Sequence, residues 1–509
     1  MGEYMSASVK LNELFLGISD GAVEAKEEKF EELFYDPYNK YNELMSNNEK
    51  FLVLGNKGTG KTYLANYIMK KSDKKQKVEI TYANDFWIYK LAKLENENVD
   101  EEVLYALCKW FLLDKIAHLF LKSHKFKSSH LYGSKAFKLQ KLLKSVENEE
   151  VFKEIRKTDV RSTEFNISGS GQREAGDEEK KSNSMGGIFN ISKSTSVESE
   201  RKKFVELIHL YEERVFEAIG RNDNITIIID DLDELGNTTT PACVGKIIVN
   251  LITIAKEYNL KDLKGKCKII LLLRSDILDD LQAEYANLSK TKTSCAVELY
   301  WLFNSVNEQY EHPLMSMILH KIKASCKEYK DYDNKKLFNT LFPETIDNKK
   351  PLDYILDHGF GRPRDFVTFL NHAQKLSMDS TFFSAKILKE ARKPYSADFY
   401  DELMNQTSYL GKAEYVKQCM ALVAAIKQVS FVYNDIKKIY DDNKERYAEI
   451  TNIDEAIELL YKLGVIGNSW KTTDGKHHTC WYYKKDAMNG VVYNKKFTIH
   501  YGLRKKFSL

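Results

Sequence analysis

The stretch Phe51-Leu52-Val53-Leu54-Gly55-Asn56-Lys57-Gly58-Thr59-Gly60-Lys61-Thr62 decides how this chain is read. Four consecutive apolar residues suit a strand buried on both faces. The next eight fit GxxxxGK[ST], and residues 63–70 continue as a helix. Strand, glycine loop and helix in that order gather free N–H groups and the positive end of a helix dipole at one point, where phosphate is favoured. Gly55, Asn56, Lys57, Gly58, Thr59, Gly60, Lys61, Thr62 and Tyr63 are therefore the expected nucleotide-contacting residues. The glycines let the backbone wrap the anion. Lys61 would reach the β- and γ-phosphates, and Thr62 would place its hydroxyl on Mg²⁺.

Such a site needs a second strand ending in acid, and Ile225-Thr226-Ile227-Ile228-Ile229-Asp230-Asp231-Leu232-Asp233-Glu234 supplies one. Carboxylates at the carboxyl end of a parallel strand point into the crevice where open α/β sheets bind ligands. Asp230 is the expected magnesium ligand. Asp231 or Glu234 would polarise the attacking water; spacing leaves both open, with Asp231 preferred. A third strand ends Leu273-Arg274-Ser275-Asp276. There Arg274 and Asp276 would either sense the γ-phosphate or form an ion pair that caps the next helix. Further on, Gly361-Arg362-Pro363-Arg364-Asp365 spends two of only twelve arginines on one proline-fixed turn. Arg364 is the expected lid arginine, with Arg362 second and Pro363 fixing the turn.

Around these motifs the pattern is α/β. Phe51–Leu54, Val78–Tyr82, Ile225–Ile229, Ile269–Leu273 and Ala296–Tyr300 read as strands. Helices are expected near 100–122, 133–155, 200–219 and 242–257, and the alternation implies a doubly wound parallel sheet. The domains read as a helical segment over 1–45, an ATPase core over 46–303, an all-helical lid over 304–400 and a winged-helix domain over 401–509. Residues 161–199 are rich in Ser, Gly and charge and repeat Phe-Asn-Ile-Ser, so they read as a flexible insertion or a pairing hairpin. Their Ser168-Gly169-Ser170-Gly171-Gln172 is similar to the signature loop of ABC transporter ATPases. It lies too far ahead of the acidic strand to act as one.

Composition narrows the classes. The chain has 509 residues, 77 Lys+Arg against 74 Asp+Glu, and a net charge of +3. That near-balance gives no whole-molecule pull toward nucleic acid or anionic lipid. The longest apolar run, Cys419–Ile426, is far short of the roughly 18 residues of a membrane span. With no secretory pattern at its amino terminus, the chain reads as soluble and cytoplasmic. Seven scattered cysteines without CxxC read as buried thiols. His477, His478 and Cys480 alternate faces on a strand and make a poor metal cage.

Together, the phosphate loop, Ile229–Asp233, Arg274–Ile277, Arg362–Asp365 and His500-Tyr501-Gly502-Leu503 resemble the AAA+-like and signal-transduction (STAND, KAP-type) P-loop ATPases. The similarity is greatest to a bacterial group found among anti-phage and DNA-maintenance genes. The resemblance runs from about Phe30 to Leu503. It implies an AAA+-like core using ATP and Mg²⁺, a helical lid and a winged-helix tail. STAND members usually carry a small residue where Asp231 stands and KAP-type ones carry Asp, so the water-activating acid stays open.

The expected function is a slow, regulated ATPase switch that controls self-assembly or a protein effector. The rival expectations are a DNA-loading motor and a nucleotide-bound scaffold. The presumptive recognition helix, residues 453–463, carries Asp454, Glu455 and Glu458 against Lys462 alone, which disfavours phosphate contact. DNA contact would fall to Lys484, Lys485, Lys495, Lys496, Arg504, Lys505 and Lys506. A homo-oligomer with a protein partner is preferred.

Overall fold

The apolar runs form the expected strands in the computed structural model: β1 (Leu52–Leu54), β2 (Lys77–Tyr82), β3 (Ile225–Asp230), β4 (Cys267–Leu273) and β5 (Ala296–Glu298). The structure describes residues 9–72, 76–82, 101–124, 134–147, 195–237, 241–302, 307–407, 412–484 and 490–509. Residues 161–194 of the expected insertion lie outside these, as do both copies of Phe-Asn-Ile-Ser. Residues 195–199 open the helix Thr195–Ala218.

The five strands make one sheet in the order β2-β3-β4-β1-β5. Pairing is parallel between β2 and β3, β3 and β4, and β4 and β1. Every residue of β1, β3 and β4 is buried, which is why these strands are mostly apolar rather than alternating, with Thr226, Asp230 and Lys268 the buried polar exceptions. β2, at the sheet edge, is mostly half-buried. The helices Glu101–His124, Lys135–Glu147, Thr195–Ala218 and Pro241–Glu257 fall between the strands, so the fold is the expected α/β parallel sheet. Leu54 lies opposite Leu273, and Ile229 opposite Leu271, so β1, β4 and β3 end along one edge. The strand that feeds the phosphate loop and the strand that ends in acid are thus one strand apart.

The chain divides into two compact units, Tyr41–Leu54 with Lys71–Val297, and Met1–Lys40 with Gly55–Lys70 and Glu298–Leu509. The first holds the sheet. The second joins the amino-terminal segment, the phosphate loop and everything after β5. Its core includes Leu11, Leu14, Leu314, Ile318, Phe366 and Phe369 together with Val416, Ile457 and Leu503. The helix Ala385–Gln406 runs straight through residue 400, where the sequence suggested a division, and buried residues from both sides share that core.

The amino-terminal segment differs from expectation. Among its described residues it is helical only in short pieces, Leu11–Glu13, Gly21–Glu24, Phe30–Leu33 and Lys40–Ser46. Gly17, at φ +108°, and Pro37 break it. Leu11 and Leu14 are nonetheless fully packed. The region after Glu298 is helical through Gln406, as read. Beyond it come three helices, Ala413–Ala425, Tyr433–Asp442 and Ile453–Lys462. With them stands a small sheet of β6 (Ser430–Phe431), β7 (Ile466–Lys471), β8 (His477–Cys480) and β9 (Lys496–Ile499), antiparallel in the order β6-β9-β7-β8. The turn after β7 is closed by the Thr472 amide donating to Lys476 O at 2.9 Å, with Gly475 at φ +82°.

All seven cysteines are buried and unbridged. On β8, His477 and His478 are exposed while Cys480 is buried. Among the described residues no helix is long and apolar enough to cross a membrane.

Candidate nucleotide-binding site

The loop that follows β1 owes its shape to its glycines. Gly58 and Gly60 take φ +85° and +99°, conformations that a side chain would strain. A Cβ on Gly55 would stand 2.3 Å from Thr59 Oγ1. Thr59 donates through Oγ1 to Asn56 O at 2.9 Å, tightening the turn. The loop then enters the helix Lys61–Lys71, which begins two residues earlier than the sequence suggested. Lys61 Nζ donates back to Gly55 O at 2.9 Å and to Asn56 O at 3.3 Å. The ammonium is thereby aimed over the loop rather than along the helix. A backbone cradle turned through left-handed glycines, a lysine above it and a helix N-terminus behind it fit a polyphosphate.

The helical region brings the Gly361–Asp365 turn onto this loop. Arg362 occupies the N-cap position of the helix Pro363–Lys375 without a side-chain capping bond, and Pro363 opens the helix's first turn. The Arg362 guanidinium is buried. It donates through Nε (2.8 Å) and Nη2 (2.7 Å) to the two oxygens of Asp365 and through Nη1 to Lys57 O at 2.8 Å. Arg364 lies beside Gly58: its amide donates to Gly58 O at 3.3 Å, and its Cβ is 2.9 Å from where a Gly58 side chain would begin. Its Nη1 pairs with Glu402 at 2.6 Å. Trp301 Nε1 donates to Thr59 O at 2.9 Å from the other side of the turn. The structure therefore brings Lys57, Gly58, Arg362, Pro363 and Arg364 together.

Tyr63, next to Thr62, anchors the loop's helix to the amino-terminal segment. Its hydroxyl donates to Glu24 Oε1 at 2.8 Å, and Lys321 forms an ion pair with the same buried carboxylate. Burial pushes the Lys321 ammonium below the usual lysine range, against the opposing pull of Glu24. Phe34 stacks on Tyr67 with ring centroids 3.6 Å apart. Tyr63 is thus held at its far end, away from the loop.

The acidic cluster sits at the carboxyl ends of β3 and β4. Asp230 is buried and accepts the Asp231 amide at 2.8 Å. Asp231 takes φ +56°, a left-handed backbone that costs a non-glycine residue about a kilocalorie per mole or more. Glu234 is exposed on the turn that follows, its amide donating to Asp231 O at 2.9 Å. Arg274 is buried between two loops. Its Nε and Nη2 reach Asp276 at 3.1 and 2.5 Å, and its Nη1 reaches Asp233 at 3.3 Å. Arg274 and Asp276 thus form an ion pair in which the arginine is buried and makes no side-chain capping bond to the next helix, and Asp233 is a partner that the sequence reading did not single out.

Asp365, Glu402, Trp301 and Glu24 also went unassigned. An Arg-to-Asp spacing of three at a helix start was a legible signal for Asp365. The other three contacts join residues that are distant in sequence, and nothing local marks them.

No curated protein matches the chain. Among solved structures, the Walker-type ATPase paby2304 of Pyrococcus abyssi aligns with 88% of this chain and 94% of its own, at 11% identity and a TM-score of 0.38. Residues 312–404, the helical region that carries Arg362, Arg364 and Glu402, match the model of the FunZ-associated C-terminal helical domain.

Proposed function

We propose that the chain is an ATP-binding and ATP-hydrolysing switch. The observation that carries this reading is the Gly55–Thr62 loop. Its two left-handed glycines, the Lys61 ammonium folded over it and the arginine turn seated on Lys57 and Gly58 form a polyphosphate cradle with a helical region attached. In this reading phosphate oxygens replace the Gly55 and Asn56 carbonyls as partners of Lys61. By their places in the sequence motifs, Thr62 and Asp230 are the residues that would hold Mg²⁺, which would supply positive charge to the phosphate oxygens. Asp231 orients the attacking water, with Glu234 the alternative; the strained Asp231 backbone is what an over-determined functional position shows. Arg274, held by Asp233 and Asp276, positions the loops after β3 and β4. ATP is preferred to GTP because the sequence carries no [NT]KxD guanine-reading motif.

The output would be a movement of the helical region and its winged-helix-like tail, acting on further copies of the chain or on a protein effector. A setting in anti-phage defence follows from the family resemblance alone. The DNA-loading reading has less support. Asp454, Glu455 and Glu458 are exposed on the helix Ile453–Lys462, and nucleic-acid affinity depends on cations. Nucleotide binding and turnover by the full chain, beside Lys61→Ala and Asp231→Ala, test the proposal. Loss of binding in the first and loss of turnover with binding kept in the second are expected.

A further inference from the structure

Arg364, the arginine nearest the phosphate loop's glycines, already has an anion. Its Nη1 lies 2.6 Å from Glu402 Oε1, and its Nε donates to Ser19 O at 3.2 Å. Glu402 belongs to the last turns of the helix Ala385–Gln406, thirty-eight residues from Arg364. Both line a cleft of about 400 Å³ shared with Ser19, Asp20, Lys57 and Tyr395. The Tyr395 hydroxyl is buried there without a hydrogen-bond partner. Burial pushes the Glu402 carboxyl upward, but Arg364, Arg362 and Lys57 outweigh burial and leave it below the usual carboxylate range. One carboxylate thus faces three cations of the loop and its arginine turn.

A carboxylate in that position does two things to an incoming phosphate. It occupies the guanidinium that could otherwise pair with a phosphate oxygen. It also lowers the positive potential of the cleft by a full charge.

We propose that Glu402 is a built-in counter-anion of the phosphate loop, and that a nucleoside triphosphate binds by taking Arg364 from Glu402 onto one of its own phosphate oxygens. Glu402 then sets how tightly the loop holds nucleotide, and its pairing with Arg364 marks the nucleotide-free arrangement of the helical region. The inference rests on the reading that the loop binds a nucleoside triphosphate. A purely structural tie between the helices Pro363–Lys375 and Ala385–Gln406 would show a different signature: loss of stability with no gain in affinity.

The test is a titration of the full-length protein with Mg²⁺-ATP and Mg²⁺-ADP, comparing wild type, Glu402→Gln, Glu402→Asp, Arg364→Gln and the Glu402→Gln/Arg364→Gln pair. Glu402→Gln is expected to tighten ATP binding by roughly three- to tenfold, the scale of one partly screened charge pair. In the Arg364→Gln background that gain should shrink. Glu402→Asp, whose shorter side chain cannot keep the same reach, should shift affinity the same way by less, and it decides the matter if Glu402→Gln fails to fold. Unchanged or weaker ATP binding in Glu402→Gln overturns the proposal, as does a gain of equal size without Arg364. If no protein in the set binds nucleotide, the phosphate-loop reading itself fails and the proposal falls with it.

Discussion

The Arg362 guanidinium donates to the carbonyl oxygen of Lys57 at 2.8 Å, fastening the first turn of the helix Pro363–Lys375 to the phosphate loop. The same side chain grips both oxygens of Asp365, which also accepts the Phe360 amide at 2.8 Å. Gly361 permits the turn: it sits at φ +66°, and a Cβ there would lie 2.3 Å from Leu302. One buried arginine therefore ties the start of this helix to the phosphate loop.

Removing that arginine leaves a buried carboxylate without its cation. Arg362→Ala is expected to destabilise the unit containing the helical region by about 3–5 kcal/mol, the usual scale for breaking a buried ion pair. Arg362→Lys should recover part of this, because one ammonium cannot reproduce the three-way fork. Urea unfolding followed by tryptophan fluorescence measures both. A change below about 1 kcal/mol for Arg362→Ala, the scale of an exposed pair, would contradict the role given to this contact.

Acid should weaken the same region through its histidines. Burial lowers His358 and His312 to about 4 from the ordinary 6.5 and holds the buried His500 well below that value. Between pH 6.5 and 4 the unfolded chain binds these protons and the folded chain does not, so stability is fully present above pH 6.5 and is lost as pH falls toward 4. His358 donates through Nδ1 to Tyr354 O at 2.7 Å, and its share is about 3 kcal/mol at most across that window. His358→Gln should flatten the dependence of the melting temperature on pH between 7 and 4.5. An unchanged slope would show that His358 is protonated in the folded protein.

Much of this was legible in the sequence, and for local reasons. The β-branched run Ile225–Ile229, broken only by Thr226, suits a strand covered on both faces, and GxxxxGKT after the apolar run Phe51–Leu54 suits a loop that turns through glycines. The acidic positions Asp230 and Asp231 followed from the end of that strand. What was not legible is what the arginines do. Arg274 and Arg364 both stood out, and so did Asp276 beside Arg274, but their other partners, Asp233 and Glu402, are carboxylates placed by packing over long sequence separations. The amino-terminal residues misled for a related reason. Leu11 and Leu14 are buried by tertiary contact rather than by a helix of their own.

The tail motif ending in Gly502-Leu503 also gains its meaning from packing. A Cβ on Gly502 would stand 2.3 Å from His358 O and 2.9 Å from Phe399 Cδ1, so Gly502→Ala should cost about 1–3 kcal/mol through overpacking. Gly475 has open space around it but φ +82°, so Gly475→Ala should cost only about 1 kcal/mol of backbone strain. Paired melting curves compare them. Equal losses would mean that the Gly502 contact is not close.

The central claim is that the Gly55–Thr62 loop holds a nucleoside triphosphate through Lys61. It is tested most directly by isothermal titration of the full-length protein with Mg²⁺-ATP, beside Lys61→Ala. Saturable one-site binding by the wild type, reduced at least about a hundredfold (some 2.7 kcal/mol) in the variant, is the expected result. Wild-type and Lys61→Ala proteins that bind ATP equally, or a wild type that does not bind it at all, would contradict the account.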